Sequence, residues 1–484
     1  MQNAYQTARD THKIQGIASS FVIKVHLMQP CVLNLGISFR FSNECLIFIG
    51  CNKYGFMKRL CLILIITLSC AAAASAQSGV WSGKLDVQGT KLSLVFHLDD
   101  DPVVDSPDQG VKGIPVRVER AGAGKITVQI PSLGAVYEGV WMISRIVGTF
   151  TQMNVSLPLT LTPGEDKPSR PQTPEGPFPY STEKVSFTND GYVLNGTLTL
   201  PDGYTRSTPA LVMVTGSGTQ NRDEEIFEHK PFAVIADALA RAGVVTLRYD
   251  DRGFGESSPA ASGWTTEDFK KDALAGIGLL REKFDKVGIL GHSEGGTIAM
   301  MLAAEDQADF IISLAGMVVS GAETLVYQNR VALKGAGLPD DVIESYCRLL
   351  ETAFDVRVNG GWMPDPDEYD LPEPLLQNYW AVVAQIQMPY MIYLLSLDMR
   401  SHLAAIDCPV LALNGTKDQQ VEYGANLNAL TEGLPPGERN IVMPVEGVNH
   451  LFQHCTTGAV TEYREIEETI SQEVLDIIVN WLAS

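Results

Sequence analysis

Residues 287–304 constrain this chain more than any other stretch. Val287-Gly288-Ile289-Leu290 is an apolar run of strand type, Gly291-His292-Ser293-Glu294-Gly295 follows as G-x-S-x-G, and Gly296 to Ala304 reads as a buried helix. A strand, a glycine-flanked serine and a helix in direct succession describe a nucleophile elbow, a tight turn that lifts the serine above a sheet edge. Small neighbours let the chain pass through such a turn, and the N-terminus of the next helix favours developing negative charge. Ser293 is therefore the first candidate nucleophile. The competing reading is a chance glycine-rich turn, and the rest of the chain has to decide between them.

From about Glu183 strands alternate with helices: strands at Ala210 to Val214, Val244 to Tyr249, Val287 to Leu290, Phe310 to Leu314, Val410 to Asn414 and Ile441 to Pro444, helices at Pro231 to Ala242, Thr266 to Phe284, Tyr423 to Leu434 and Ile470 to Leu482. Repeated units of this kind give an α/β fold, a mostly parallel sheet flanked by helices on both faces. Residues 319–404 break the rhythm. They are helical in pattern and rich in Met, Tyr and Leu, as in Met388 to Leu395, and are expected to form a lid inserted over the carboxyl ends of the strands. Upstream, residues 77–162 alternate with period two, as in Lys91 to Leu98 and Lys125 to Ile130, which predicts a small all-β domain. Residues 163–180, rich in Pro and charge, read as a stiff linker, so the catalytic domain is expected over 181–484.

A serine hydroxyl attacks only when a base removes its proton, and the base needs a carboxylate to fix its tautomer. On a sheet with such an elbow the chain order is serine, acid, histidine. Downstream of Ser293 stand His402, His450 and His454. His402 precedes the acid-bearing strand. His450, in the loop after the last apolar strand, is the expected base, with His454 the alternative. Asp418, just past the strand Val410 to Asn414, is the expected acid, although an aspartate there also reads as a helix cap; Glu446 is the reserve. An oxyanion needs two fixed N–H donors. The amide of Glu294 is one, and the loop Thr215-Gly216-Ser217-Gly218-Thr219 supplies the other, Ser217 ahead of Gly218. That loop lacks the G-K-[ST] of a phosphate loop, so nucleotide binding is not expected.

Together, Gly291 to Gly296, Gly216-Ser217-Gly218, Gln220-Asn221-Arg222-Asp223, Tyr249-Asp250-Asp251-Arg252-Gly253, Gly415 to Val421 and Asn449-His450 resemble the α/β-hydrolase superfamily, and within it secreted bacterial acyl esterases with an N-terminal β-domain. The resemblance covers residues 183–484 strongly and 81–155 more weakly. It implies a triad of Ser293, Asp418 and His450 and hydrolysis of a small-molecule acyl ester, without cofactor or metal. Gly216, Gly218, Arg222 and Asp251 are the expected substrate-binding residues. The charged set Arg222, Asp223, Asp251, Arg252 and Glu294 is expected to form a compensating ion-pair network; an unpaired Glu294 or Asp251 would instead receive a substrate cation and make an exopeptidase. The same scaffold would also suit an acyltransferase or, stripped of activity, a protein that only binds.

Charge and the N-terminus bound the remainder. The chain of 484 residues carries a net charge of −21, and its first 76 residues hold 7 Lys+Arg against 2 Asp+Glu, leaving 29 against 55. So acidic a body repels nucleic-acid phosphates and anionic membrane surfaces, and no nucleic-acid role is expected. Lys58-Arg59, the apolar run Leu60 to Leu68 and Ala74-Ser75-Ala76 form a secretory signal pattern starting at Met57, so residues 1–56 are expected to be a non-native extension and the mature protein to be exported, to the periplasm or medium. Of eight cysteines only Cys347, Cys408 and Cys455 lie past residue 70, too few for a disulfide framework.

Overall fold

The computed structural model describes residues 78–484 except 88–89, 110, 143, 154, 166–168 and 261–262. The signal pattern at 57–76 and the segment ahead of it lie outside these residues. The chain forms two compact units that divide between residues 167 and 168.

The first unit is nine antiparallel strands: β1 (Val80–Val87), β2 (Thr90–His97), β3 (Val103–Ser106), β4 (Val111–Pro115), β5 (Arg117–Ala121), β6 (Lys125–Ile130), β7 (Ala135–Trp141), β8 (Ile146–Gln152) and β9 (Val155–Pro163). Their order is β4-β3-β2-β1-β9-β8-β7-β6-β5, so the two edge strands are consecutive in sequence, joined by Val116 alone. Period-two alternation turns one face inward: Phe96, Ile126, Val128, Tyr137, Ile146 and Leu161 share one core, and Ile114 and Val118 from the two edges pack on it. One sheet thus curls around a single cluster.

The second unit opens with the hairpin β10 (Tyr180–Asn189) and β11 (Tyr192–Pro201), turned by Asp190-Gly191 with both residues at positive φ, 47° and 84°. There follow β12 (Ala210–Val214), α1 (Pro231–Arg241), β13 (Val245–Tyr249), α2 (Thr266–Arg281), β14 (Val287–His292), α3 (Glu294–Ala304) and β15 (Ile311–Leu314). Four helices interrupt the alternation, α4 (Gly321–Gly335), α5 (Asp340–Asn359), α6 (Glu373–Gln385) and α7 (Pro389–Ser396), before β16 (Val410–Gly415), α8 (Tyr423–Gly433), β17 (Ile441–Val445) and α9 (Gln472–Ala483). The sheet order is β10-β11-β13-β12-β14-β15-β16-β17; only the pairs β10/β11 and β11/β13 are antiparallel. β12, β14, β15 and β16 are buried along their whole length, as apolar runs in a doubly covered sheet must be.

Alternate residues of those strands point to opposite faces and meet different helices. Val212, Val214, Ile289, Ile311 and Ala412 pack with α2, α3 and α8, while Leu211, Met213, Leu290, Ile312 and Leu413 pack with α1 and α9. α2 shows how the sequence sets this: Thr265 and Asp268 form a capping box at its start, and Phe269, Ala273, Ile277 and Leu280 repeat at helical spacing on the sheet side.

The stretch read as a stiff linker behaves differently from Arg170 on. The Arg170 guanidinium donates to the carbonyls of Phe227, Arg464 and Ile466 at 2.8–3.0 Å, and Gln172 Nε2 donates to the Ile470 carbonyl at 2.8 Å. These residues are bound to the second unit; proline content signals stiffness, but the partners that capture Arg170 lie far along the chain.

Candidate active site

The parallel strands end level, because Val214 pairs with Gly291, His292 with Leu314, and Gly415 with Val445. The loops that leave them are therefore neighbours. The Ser293 amide donates to the Leu314 carbonyl at 2.8 Å, and the Lys417 amide to that of Val448 at 3.0 Å. Ser293 has φ 53° and ψ −121°. Such backbone angles cost a non-glycine residue about 1–3 kcal/mol and persist only where the surroundings enforce them. Enforcement comes from the glycines: a Cβ on Gly291 would lie 1.9 Å from the Gly295 carbonyl oxygen, and one on Gly295 would lie 2.0 Å from that of Val214. Packing at these two glycines holds Ser293 in the turn geometry expected of a nucleophile elbow.

Asp418 and His450 meet. His450 Nδ1 donates to Asp418 Oδ2 at 2.7 Å, and Asp418 Oδ1 accepts from the amides of Gln420 and Val421 at 2.7 and 2.9 Å. The carboxylate is thus fixed from both sides. With Nδ1 protonated toward the acid, Nε2 of His450 carries the lone pair, the tautomer a base requires. Asn449 shapes the turn that presents the ring, its Oδ1 accepting from the amides of Leu451 and Gln453, both at 3.0 Å. His454 is exposed and binds Glu468, and Glu446 is exposed as well, so neither serves the site.

In the loop after β12, the Gly216 amide donates to Glu224 Oε1 at 2.7 Å, and Gly216 lies against Ser293, since its Cβ would come within 3.2 Å of Ser293 Cβ. With Gly216 committed to Glu224, the amide of Ser217 is the next donor the loop presents. Glu294 opens α3, where the first amides have no carbonyl one turn back.

The expected ion-pair network forms only in part, and mostly with other partners. Arg222 is bidentate on Asp250 and also reaches Glu256; Arg252 binds Asp272 at 2.7 Å; Arg248 pairs with Asp223. Asp251 has no cation among the described residues: it accepts from the Thr215 hydroxyl and the Gln220 amide, both at 2.8 Å, and burial drives its carboxyl well above the usual range. Glu294 likewise holds no cation. Thr266 donates to it at 2.6 Å and Tyr390 of α7 at 2.5 Å, Ser217 adds a third hydroxyl, and burial again raises the carboxyl. The network reading fails for these two because their loops face hydroxyls and amides. Arg222 and Asp251 brace loops, and neither is free to hold a substrate.

Sequence reasoning missed Glu224, His292, Thr266 and Tyr390. His292 Nδ1 lies 2.9 Å from Glu224 Oε1, and its Nε2 lies 2.9 Å from the His450 carbonyl oxygen. None of the four carries a local signal, since each contact joins residues far apart in the chain. The helices α4 and α7 reach the site directly: Tyr390 meets Glu294, and the Tyr327 hydroxyl donates to the Asp418 carbonyl at 2.8 Å. Among the described residues no group of three or more His, Cys, Asp or Glu stands ready to hold a metal. No helix there is long and apolar enough to cross a membrane.

A parallel sheet with a strained serine after one strand, an acid and a histidine bonded after two others, and a helical insertion above them define a class. Residues 211–459 match the alpha/beta hydrolase family, and the chain belongs to it. Among particular relatives, it is 28% identical over 314 residues to the esterase EstD of Thermotoga maritima, covering 64% of this chain and 70% of that protein. It is also 31% identical over 86 residues to the human serine hydrolase BPHL, covering 17% and 30%. Among solved structures, Est1E from Butyrivibrio proteoclasticus with bound ferulic acid aligns over 62% of this chain and all of its own, at 18% identity and a TM-score of 0.38.

Proposed function

We propose that the protein is a serine carboxylesterase working through an acyl-enzyme. The observation that carries this reading is the 2.7 Å bond from His450 Nδ1 to a fully fixed Asp418, in loops neighbouring the strained Ser293. His450 Nε2 takes the Ser293 proton as Oγ attacks the ester carbonyl. The amides of Glu294 and Ser217 hold the oxyanion, and the alcohol leaves with the proton from His450. Water, deprotonated by the same nitrogen, then releases the acid and restores the serine.

The name of the EstD relative supports an ester as substrate, and so does the state of Glu294. A buried carboxyl already engaged by the hydroxyls of Thr266, Tyr390 and Ser217 is poorly placed to receive a substrate ammonium, which disfavours exopeptidase activity. The apolar lid suits a hydrophobic acyl or alcohol part. Export through the pattern at Met57 to Ala76 belongs to the same proposal and is checked by N-terminal sequencing of the mature protein. The decisive experiment is hydrolysis of a short-chain p-nitrophenyl ester by wild type and Ser293→Ala, with fluorophosphonate labelling in parallel. The variant should lose at least about a thousandfold in kcat and all labelling. Equal rates would remove the assignment.

A further inference from the structure

His292 stands between two acceptors. Nδ1 faces Glu224 Oε1 at 2.9 Å and Nε2 faces the His450 carbonyl oxygen at 2.9 Å. A neutral imidazole has one N–H and would turn a lone pair on one of them. A proton on Glu224 would resolve this only if placed on Oε1, which already accepts the Gly216 amide at 2.7 Å and would then accept poorly. The arrangement that gives both ring nitrogens an acceptor is an imidazolium with both N–H groups donating to a carboxylate and a carbonyl, and of this pair it leaves only Glu224 Oε2 buried without a hydrogen-bond partner among the described residues.

The surroundings agree. From α1, from the end of β15 and from the segment after β17 the neighbours are apolar: Phe232, Ile235, Leu314, Leu451, Phe452 and Ile470. The charged or titratable groups that act on the ring are Glu224, Asp418 and His450, whose ring centroid is 4.7 Å away. Burial opposes the positive charge, but the Glu224 carboxylate and the two hydrogen bonds outweigh it and hold the ring above its ordinary value.

We infer that Glu224 and His292 form a buried charged pair that ties three loops to one another at the residue preceding the nucleophile. Glu224 holds the oxyanion-side loop by the Gly216 amide, and His292 holds the base-bearing loop by the His450 carbonyl. Both are positioning residues: neither touches the reacting atoms, and each fixes a group that does. The inference rests on the triad proposed for this site, for without Ser293 and His450 at work there is nothing to position.

Two measurements test it. In ring-¹⁵N histidine NMR of the wild type, one histidine should remain an imidazolium at a pH where an ordinary histidine is already neutral, and that resonance should vanish in His292→Gln. In ester hydrolysis, Glu224→Gln should lower kcat about 10–100-fold, with KM within about twofold, as small misplacements of catalytic groups do. The ratio of wild-type to variant kcat should rise with pH as the unpaired His292 loses its proton. A merely structural role would give a constant ratio. A wild type without a persistent imidazolium, or a ratio that does not change with pH, overturns the inference. If Glu224→Gln fails to fold by circular dichroism, the wild-type NMR alone decides. Fluorophosphonate labelling of wild-type Ser293 keeps the readings apart: an unlabelled wild type sinks the triad, whereas a labelled one with a neutral His292 sinks only this pair.

Discussion

In the triad we propose, Asp418 governs a reaction it never touches. In Asp418→Asn the amide would donate to His450 Nδ1 and force the ring proton onto Nε2, leaving no base facing Ser293. We expect kcat for a p-nitrophenyl ester to fall by about 10⁴ with the fold intact by circular dichroism. Gly295→Ala fails for a different reason: the new methyl meets the Val214 carbonyl at 2.0 Å, and neither backbone can yield. It should destabilise by about 3 kcal/mol or more in denaturant unfolding. A third residue sets a pH limit. His229 is fully buried, its Nδ1 3.0 Å from the Thr469 hydroxyl and its Nε2 2.9 Å from the Tyr463 carbonyl, and burial lowers its pKa from 6.5 to about 4. Between those values the unfolded chain binds a proton that the folded one refuses, so stability is lost as pH falls from 6.5 toward 4, by about 1.4 kcal/mol per unit. Unfolding midpoints should drop less steeply over this window in His229→Gln. At this scale the strand-end positions of Ser293, Asp418 and His450 were legible, because each sits in a local pattern of strand end and loop. Glu224 and Tyr390 were not, because their partners are 68 and 96 residues away.

The elements divide along the same line. Buried apolar strands and amphipathic helices were readable to within a few residues, since their periods are local. The hairpin of β10 and β11 was missed although Asn189-Asp190-Gly191 is a strong two-residue turn signal; the Pro-rich run before it drew the reading toward a linker. The lid was legible as a break in rhythm, but how it docks was not. It seats Tyr390 on Glu294, so Tyr390→Phe leaves a buried carboxyl oxygen short of a donor, at a cost of about 1–3 kcal/mol. Limited proteolysis within residues 319–404 should accelerate about tenfold or more in that variant, while an unchanged rate would show that other contacts hold the lid.

Across the whole molecule, two units have separate cores, one formed by the curled nine-stranded sheet and the other by the two faces of the eight-stranded sheet. A chain beginning at Ser169 should therefore fold and keep ester hydrolysis within about threefold in kcat, as measured on the purified fragment, because a unit with its own core folds by itself. Loss of folding would show that the second unit depends on the first. The acidic composition belongs to this scale as well: it disfavours polyanionic partners and says nothing of the fold.

Arg170 and Gln172 add an ordering in time. Their partners in the 464–470 segment are 294 to 298 residues downstream. During synthesis these two residues leave the ribosome before any strand of the parallel sheet, and although Arg170 meets the Phe227 carbonyl 57 residues on, their bonds to residues 464–470 can form only after nearly all of that unit has been made. Closure of this seam is among the last events of folding, and until then the entry to the domain stays open to chaperones and proteases.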